Sequence, residues 1–183
     1  MSESRPSRAS AFVLGHRADL AATAALGPAA DVACGRGRHA VELARAGLRV
    51  VALDRSREAL SELARESAAA ALPVHPVRAD LESGSGIPLR PASCGAVVVT
   101  RYLHRPLCRQ LVELLVPGGL LLYETFTRAQ ANLPYGLENP AFLLEPGELP
   151  ALFPGLSVVT AEEGLFEDGR PWELARLLAR REI

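Results

Sequence analysis

The sequence predicts one parallel α/β domain of the nucleotide-binding kind, and three observations carry that prediction. Short apolar runs alternate with helix-patterned segments along the chain. The first such run ends in a glycine turn, Cys34-Gly35-Arg36-Gly37, and the second ends in an acid, Asp54. Alternating strands and helices are accommodated by a parallel sheet with right-handed crossovers. In sheets of that kind ligands bind beyond the carboxyl ends of the strands, where the strand order reverses.

Each element follows from local pattern. Residues 1–8 are polar and read as a frayed arm. Residues 9–26 read as a helix, with Phe12, Val13, Leu20 and Ala24 as its apolar face. Gly27-Pro28 is a turn, and residues 29–33 are a short apolar run, hence a buried strand. Residues 39–46 place Ala40, Val41, Leu43 and Ala44 on one helical face, and Gly47 stops the helix. Residues 48–53 form the second strand. Ser56 is a good N-cap for a helix over 57–71, whose composition favours helix. Residues 73–78 form a third strand, and the Gly/Pro/Ser-rich stretch 83–93 a loop. Residues 96–100 are apolar and rich in valine, as in a central strand. Pro106 opens a helix that runs to Val116 and stops at Pro117-Gly118-Gly119. Residues 120–126 form a fifth strand and 146–153 a short helix. Two late strands, 156–160 and 173–178, close the chain, with 162–171 as their connection. Residues 127–145 are long for a connection, which fits a lid or substrate loop.

Composition narrows the function. The chain has 183 residues, enough for one domain with a full core, and almost half are apolar. Its net charge is −1, with acids and bases interspersed, so there is no basic footprint for nucleic acid. No apolar run approaches the roughly 20 residues that span a bilayer, and residues 1–8 lack a signal-peptide core. Three cysteines without metal-ligand spacing fit a reducing, cytoplasmic setting and no metal site. All 20 basic residues are arginine. Without lysine there is no phosphate-binding P-loop and no Schiff base with a pyridoxal cofactor.

The glycine turn and the acid have direct chemical uses. Gly35 and Gly37 permit positive φ and a close approach of ligand to backbone. The helix that follows points free N–H groups and its positive dipole end at the turn. A carboxylate at Asp54 is placed to accept from a pair of ribose hydroxyls. Gly35-x-Gly37-x-x-Ala40 also fits the dinucleotide fingerprint, which keeps an NAD-dependent oxidoreductase open as an alternative.

Taken together, DVACGRGRH, ALDRS, ADLES and the PGG turn resemble a class I S-adenosylmethionine-dependent methyltransferase over nearly the whole chain. The segments VVTRYLHRP (98–106), YETFT (123–127) and NPAFLLEPGEL (139–149) are similar to a bacterial branch described as tellurite-resistance-like or thiopurine-methyltransferase-like. The resemblance implies a Rossmann-like fold, with a seven-stranded, mostly parallel sheet of order 3-2-1-4-5-7-6, helices on both faces, and a final antiparallel hairpin. It implies S-adenosyl-L-methionine as cofactor and S-adenosyl-L-homocysteine as product. By the same resemblance, Ala33, Cys34, Gly35, Arg36 and Gly37 approach the methionyl part, Asp31 orients the turn or meets the amino group through water, and His39 bonds the cofactor carboxylate. Asp54 holds the ribose, Arg55 packs beside the adenine, and Asp80 with the Leu81 N–H reads the adenine edge. Arg101 follows strand four, where backbone carbonyls meet the methionyl ammonium. Ala33 stands where many relatives carry glycine.

Methyl transfer needs orientation and exclusion of water more than a catalytic triad. The candidate polar groups near the methyl are Arg101, Tyr102, His104, Arg105, Glu124 and Tyr135. His104 is the best general-base candidate, because its ordinary pKa lies near neutrality. Arg101 with Arg105 would hold an oxyanion or a carboxylate, or either would pair with Glu124 in a structural role. Tyr135, Phe142 and the turn at Asn139 would close over a small-molecule acceptor. The chain lacks the Asn/Asp-Pro-Pro-aromatic motif after strand four of many nucleic-acid amino-methylating enzymes, which favours that acceptor class. A monomer or homodimer is expected, and a non-catalytic cofactor-binding module is a second alternative.

Overall fold

In a computed structural model, which describes residues 8–137 and 139–182, seven strands form a single sheet. They are β1 (Ala29–Val32), β2 (Val50–Asp54), β3 (Val74–Arg78), β4 (Cys94–Thr100), β5 (Leu115–Phe126), β6 (Leu156–Glu167) and β7 (Pro171–Arg181). Their order is β3-β2-β1-β4-β5-β7-β6, the order expected. The first five run parallel, and β7 lies antiparallel between β5 and β6. The order reverses between β1 and β4, so the residues after those two strands flank the switch point. The expected arm at residues 1–7 lies outside the described residues.

The helices are α1 (Ala11–Gly15), α2 (Arg17–Ala21), α3 (Arg38–Arg45), α4 (Arg57–Ala69), α5 (Cys108–Leu114) and α6 (Glu148–Ala151). Both sheet faces are buried, and the period of two divides each central strand between two cores. On β4, Val97 and Val99 join Leu107, Leu111, Leu149 and Phe153 on one face. Ala96 and Val98 join Phe12, Leu20, Leu43 and Leu63 on the other. Apolar valines on consecutive positions therefore serve opposite layers.

Four expectations are corrected. The leading helix is two short ones, broken at His16, whose φ of −99° and ψ of 15° interrupt the ladder. The helix opened by Pro106 begins as a 3-10 turn, Arg105–Leu107, and ends at Leu114 rather than Val116. The Pro117-Gly118-Gly119 turn lies inside β5: Leu115 pairs with Cys94 and Leu120 with Ala96, so the intervening residues bulge out. Finally, 162–171 is not a connection. β6 and β7 pair from Leu156↔Arg181 to Glu167↔Pro171, and only residues 168–170 turn. The glutamates at 162, 163 and 167 hid this hairpin, because β6 is an edge strand and tolerates charge.

Candidate functional site

The site is built from the turn after β1. Ala33, Gly35 and Gly37 all have left-handed φ, +58°, +55° and +74°. A Cβ on Gly35 would meet nothing within 4 Å, so the backbone there is open to a close ligand. A Cβ on Gly37 would lie 2.4 Å from Leu63 Cδ1, so that glycine serves the packing of α3 on α4. The Asp54 carboxylate reaches back from the end of β2. Its Oδ2 accepts from the Gly35 N–H at 2.8 Å, and its Oδ1 from the Ser56 N–H at 2.8 Å.

Beneath this turn, Asp31 is buried on β1, and its Oδ2 accepts from the Ala40 N–H at 2.9 Å. Its Oδ1 has no partner among the described residues. Burial pushes its pKa up to about 7, against the pull of that hydrogen bond and of Arg38. His39 is also buried: Nε2 accepts from the Ser10 N–H at 3.2 Å, and Nδ1 lies 3.0 Å from Thr100 Oγ1. The first contact requires a lone pair on Nε2, so Nδ1 carries the proton and donates to Thr100. Burial, with Arg38 and Arg101 nearby, pushes the His39 pKa down to about 3, so the ring is neutral. Both ring nitrogens are thus occupied within the protein. Cys34 is buried and its thiol is pushed well up by burial and by Asp31 and Asp54, which favours the thiol over the nucleophilic thiolate.

A cleft of about 360 Å³ opens over the carboxyl ends of the strands. Of the expected cofactor residues, Ala33, Asp54, Arg55, Asp80, Leu81 and Arg101 line it. Asp80 Oδ1 accepts from the Glu82 N–H at 3.1 Å, shaping the loop after β3. Tyr102 lines the cleft as well, and its hydroxyl, beside Glu82 and Asp80, is pushed up to about 12 chiefly by burial. No oxygen of Glu82 forms a geometrically sound hydrogen bond with it. Thr125, Phe126, Leu137 and Phe142 close the far side. Leu137 and Phe142 come from the long segment 127–145.

Arg101 stands at the switch point. Its backbone is left-handed, φ +53°, and its N–H donates to Glu124 O at 2.7 Å. Its guanidinium donates to Asp168 Oδ2 at 2.9 Å and lies 4.3 Å from the Trp172 ring centre. Burial draws its pKa down, Arg38 adds to that, and Glu124 with Asp168 oppose it. Asp168 and Trp172 were missed in the sequence, because they sit on a hairpin tip brought to the site only by the antiparallel return of β7.

The remaining candidates lie elsewhere. Arg105 makes a bidentate pair with Glu148, at 2.6 and 2.8 Å, and donates to the Ala141 and Leu143 carbonyls. It pins the segment 127–145 and does not line the cleft, and neither does His104. Glu124 is fully buried and accepts from Arg176 Nε at 2.8 Å, with no share in the cleft wall. Asn139 caps the 3-10 turn Pro140–Phe142 by accepting from the Ala141 N–H. Tyr135 donates to Pro171 O at 2.7 Å and packs edge-on against Trp172. It belongs to the hairpin tip, not to the first cleft.

Residues 29–119 match a family model described as a methyltransferase domain. TehB from Haemophilus influenzae is 20% identical at a TM-score of 0.75 over 92% of this chain, which spans only 62% of that protein. A SAM-dependent methyltransferase from Methanosarcina mazei is 16% identical, TM-score 0.68, over 85% of this chain and 92% of that one. An S-adenosylmethionine-dependent methyltransferase from Mesorhizobium loti is 19% identical, TM-score 0.65, with the same coverages of 85% and 92%. No curated protein sequence matches the chain. At these identities the solved structures speak for the fold.

Proposed function

We propose that the protein transfers a methyl group from S-adenosyl-L-methionine to a small-molecule acceptor, a reading supported by the methyltransferase-domain match over residues 29–119 and by the order of the sheet. The observation that carries this is the turn at 33–37. It has three left-handed residues and is tied through the Gly35 N–H to a carboxylate that also lines the cleft.

The residues present fit the cofactor. Gly35 leaves open space where a methionyl chain would approach. Asp54 faces the cleft with acceptor capacity beyond its two N–H bonds, since a carboxylate offers about four lone-pair sites. It takes the ribose hydroxyls in this reading, while Asp80 and the Leu81 backbone take the adenine. When bound, the cofactor supplies an electrophilic methyl group. Tyr102, Leu103 and Phe126 line the neighbouring wall and exclude water. Among the described residues, no histidine or lysine lines this cleft. We therefore read the acceptor as one already nucleophilic, whose proton, where it has one, leaves to solvent.

The segments 98–106, 123–127 and 139–149 support the tellurite-resistance-like or thiopurine-methyltransferase-like branch. The antiparallel β7 speaks against an NAD-dependent oxidoreductase, whose doubly-wound sheet is wholly parallel in its binding halves. Titration calorimetry with S-adenosyl-L-homocysteine, S-adenosyl-L-methionine and NAD tests the reading. Saturable heat with the first two alone is expected, and heat with NAD alone would overturn it.

A further inference from the structure

A second cleft, of about 620 Å³, adjoins the first, and Arg101 lines both. One side is the N-terminal segment with Ala11 and Leu14, and the other is the hairpin tip with Glu167, Asp168, Arg170 and Trp172. With the cofactor placed in the first cleft, this neighbouring space remains for the acceptor.

Arg170 is unusual for an exposed arginine. Its guanidinium lies 3.9 Å from the Tyr135 ring centre and 4.0 Å from that of Trp172. The two rings meet edge to face, at 76° and 5.5 Å, so the guanidinium sits in the corner between them. Both rings are fixed: Tyr135 donates to Pro171 O at 2.7 Å, and Trp172 Nε1 to Asp168 O at 3.2 Å. With the rings 76° apart, one planar guanidinium lies face-on to one of them at most and turns part of its edge toward the other, which leaves its remaining N–H groups for acceptors. Among the described residues no carboxylate pairs with Arg170. Asp168 is already bound to Arg101, and Glu167 is the other acid on the wall. A held, unpaired fork of this kind suits a planar carboxylate, and the ordering cost is met before binding.

We propose that this cleft seats an acceptor through its carboxylate, which docks on Arg170 beside Trp172 while Arg101 forms the wall shared with the cofactor cleft. The inference rests on the methyltransferase reading and names the acceptor's chemical class. The same carboxylate chemistry has a second source, the methionyl end of the cofactor itself, and the experiment separates the two.

The probe is phenylacetate, with phenylacetamide as its uncharged counterpart, titrated into the full chain saturated with S-adenosyl-L-homocysteine. Phenylacetate is expected to bind, and the amide at least tenfold more weakly. Arg170→Met is expected to weaken phenylacetate at least tenfold, and Arg170→Lys by less, since lysine keeps the charge without the fork. Affinity for S-adenosyl-L-homocysteine is expected to stay within twofold in both variants, with unchanged melting temperatures. Equal binding of acid and amide, no binding of phenylacetate, or indifference to Arg170→Met would overturn the proposal. So would phenylacetate binding only without S-adenosyl-L-homocysteine, or a tenfold loss of its affinity in Arg170→Met, because either assigns the slot to the cofactor carboxylate. Failure of the wild-type protein to bind S-adenosyl-L-homocysteine would sink the methyltransferase reading and with it the acceptor's role, but not carboxylate docking at Arg170. The phenylacetate comparison on protein without it then still decides the arginine site.

Discussion

The Asp54 carboxylate accepts a hydrogen bond from the Gly35 backbone N–H at 2.8 Å, across 19 residues of sequence. This contact joins the end of β2 to the turn after β1 and fixes the Gly35 backbone, while Asp54 itself lines the cleft. Asp54→Ala removes the tie and, on the proposed function, the ribose acceptor. A hydrogen bond to a charged group contributes about 1.5–3 kcal/mol, so a loss of S-adenosyl-L-homocysteine affinity of roughly 10- to 100-fold is expected. Calorimetry reads it. Unchanged affinity would remove Asp54 from the cofactor site.

Gly35 and Gly37 separate binding from stability. Each alanine substitution meets a left-handed φ, at a cost of about 1 kcal/mol. Gly35→Ala adds no clash within the protein and should leave a folded chain with weakened cofactor binding. Gly37→Ala drives a methyl into Leu63 and should lower the melting temperature further. Leu63→Ala in the same chain should recover part of that second loss, by making room. Thermal melts of the four proteins check the order.

The pair Glu124–Arg176 is buried on β5 and β7, with Glu124 Oε1 and one Arg176 nitrogen lacking partners. The Arg176 guanidinium lies 3.7 Å from the Phe166 ring centre. Removing one member strands a buried charge, so Glu124→Leu should cost about 3–5 kcal/mol. The double change Glu124→Leu with Arg176→Met should be much less damaging than either single change. Denaturant unfolding of the three variants tests the coupling, and additive losses would contradict it.

Two buried groups pull the pH dependence in opposite directions. His39, pushed down to about 3, is neutral in the folded chain, so its contribution is complete above its ordinary pKa of 6.5 and fades as the pH falls toward 3. Asp31, pushed up to about 7, opposes folding increasingly as the pH rises from its ordinary 3.8 to 7. Between pH 4 and 6.5 the two partly cancel. Against wild type, His39→Gln should show a less positive slope of stability with pH in that window, and Asp31→Asn a more positive one. Each difference is bounded by one proton, about 1.4 kcal/mol per pH unit. Equal slopes in the two variants would contradict the assignment.

The turn after β1, the acid that ends β2 and the acid after β3 were readable in the chain because they stand directly at the ends of strands one to three. Gly35, Asp54 and Asp80 each sit at the end of an apolar run, and the parallel sheet delivers such ends to one side. The surroundings of Arg101 were not readable in that way. Arg105 and Glu124 have the same local look as Arg101, a charge beside a buried strand. They differ only in which partner the fold supplies: Glu148 for one, Arg176 for the other, and Asp168 for Arg101.

Sequence alone determined the alternation of strands and helices, the strand ends, the glycine turn and the acid that meets it. Those are set by apolar periodicity and by backbone freedom, which act over a few residues. Only the tertiary structure decided that the hairpin tip at 168–172 returns to the switch point and sets Arg170 in the corner of Tyr135 and Trp172. That placement depends on an antiparallel strand pairing across the sheet, from Leu120↔Arg180 to Phe126↔Leu174, and no local pattern encodes which side chains such a pairing brings together.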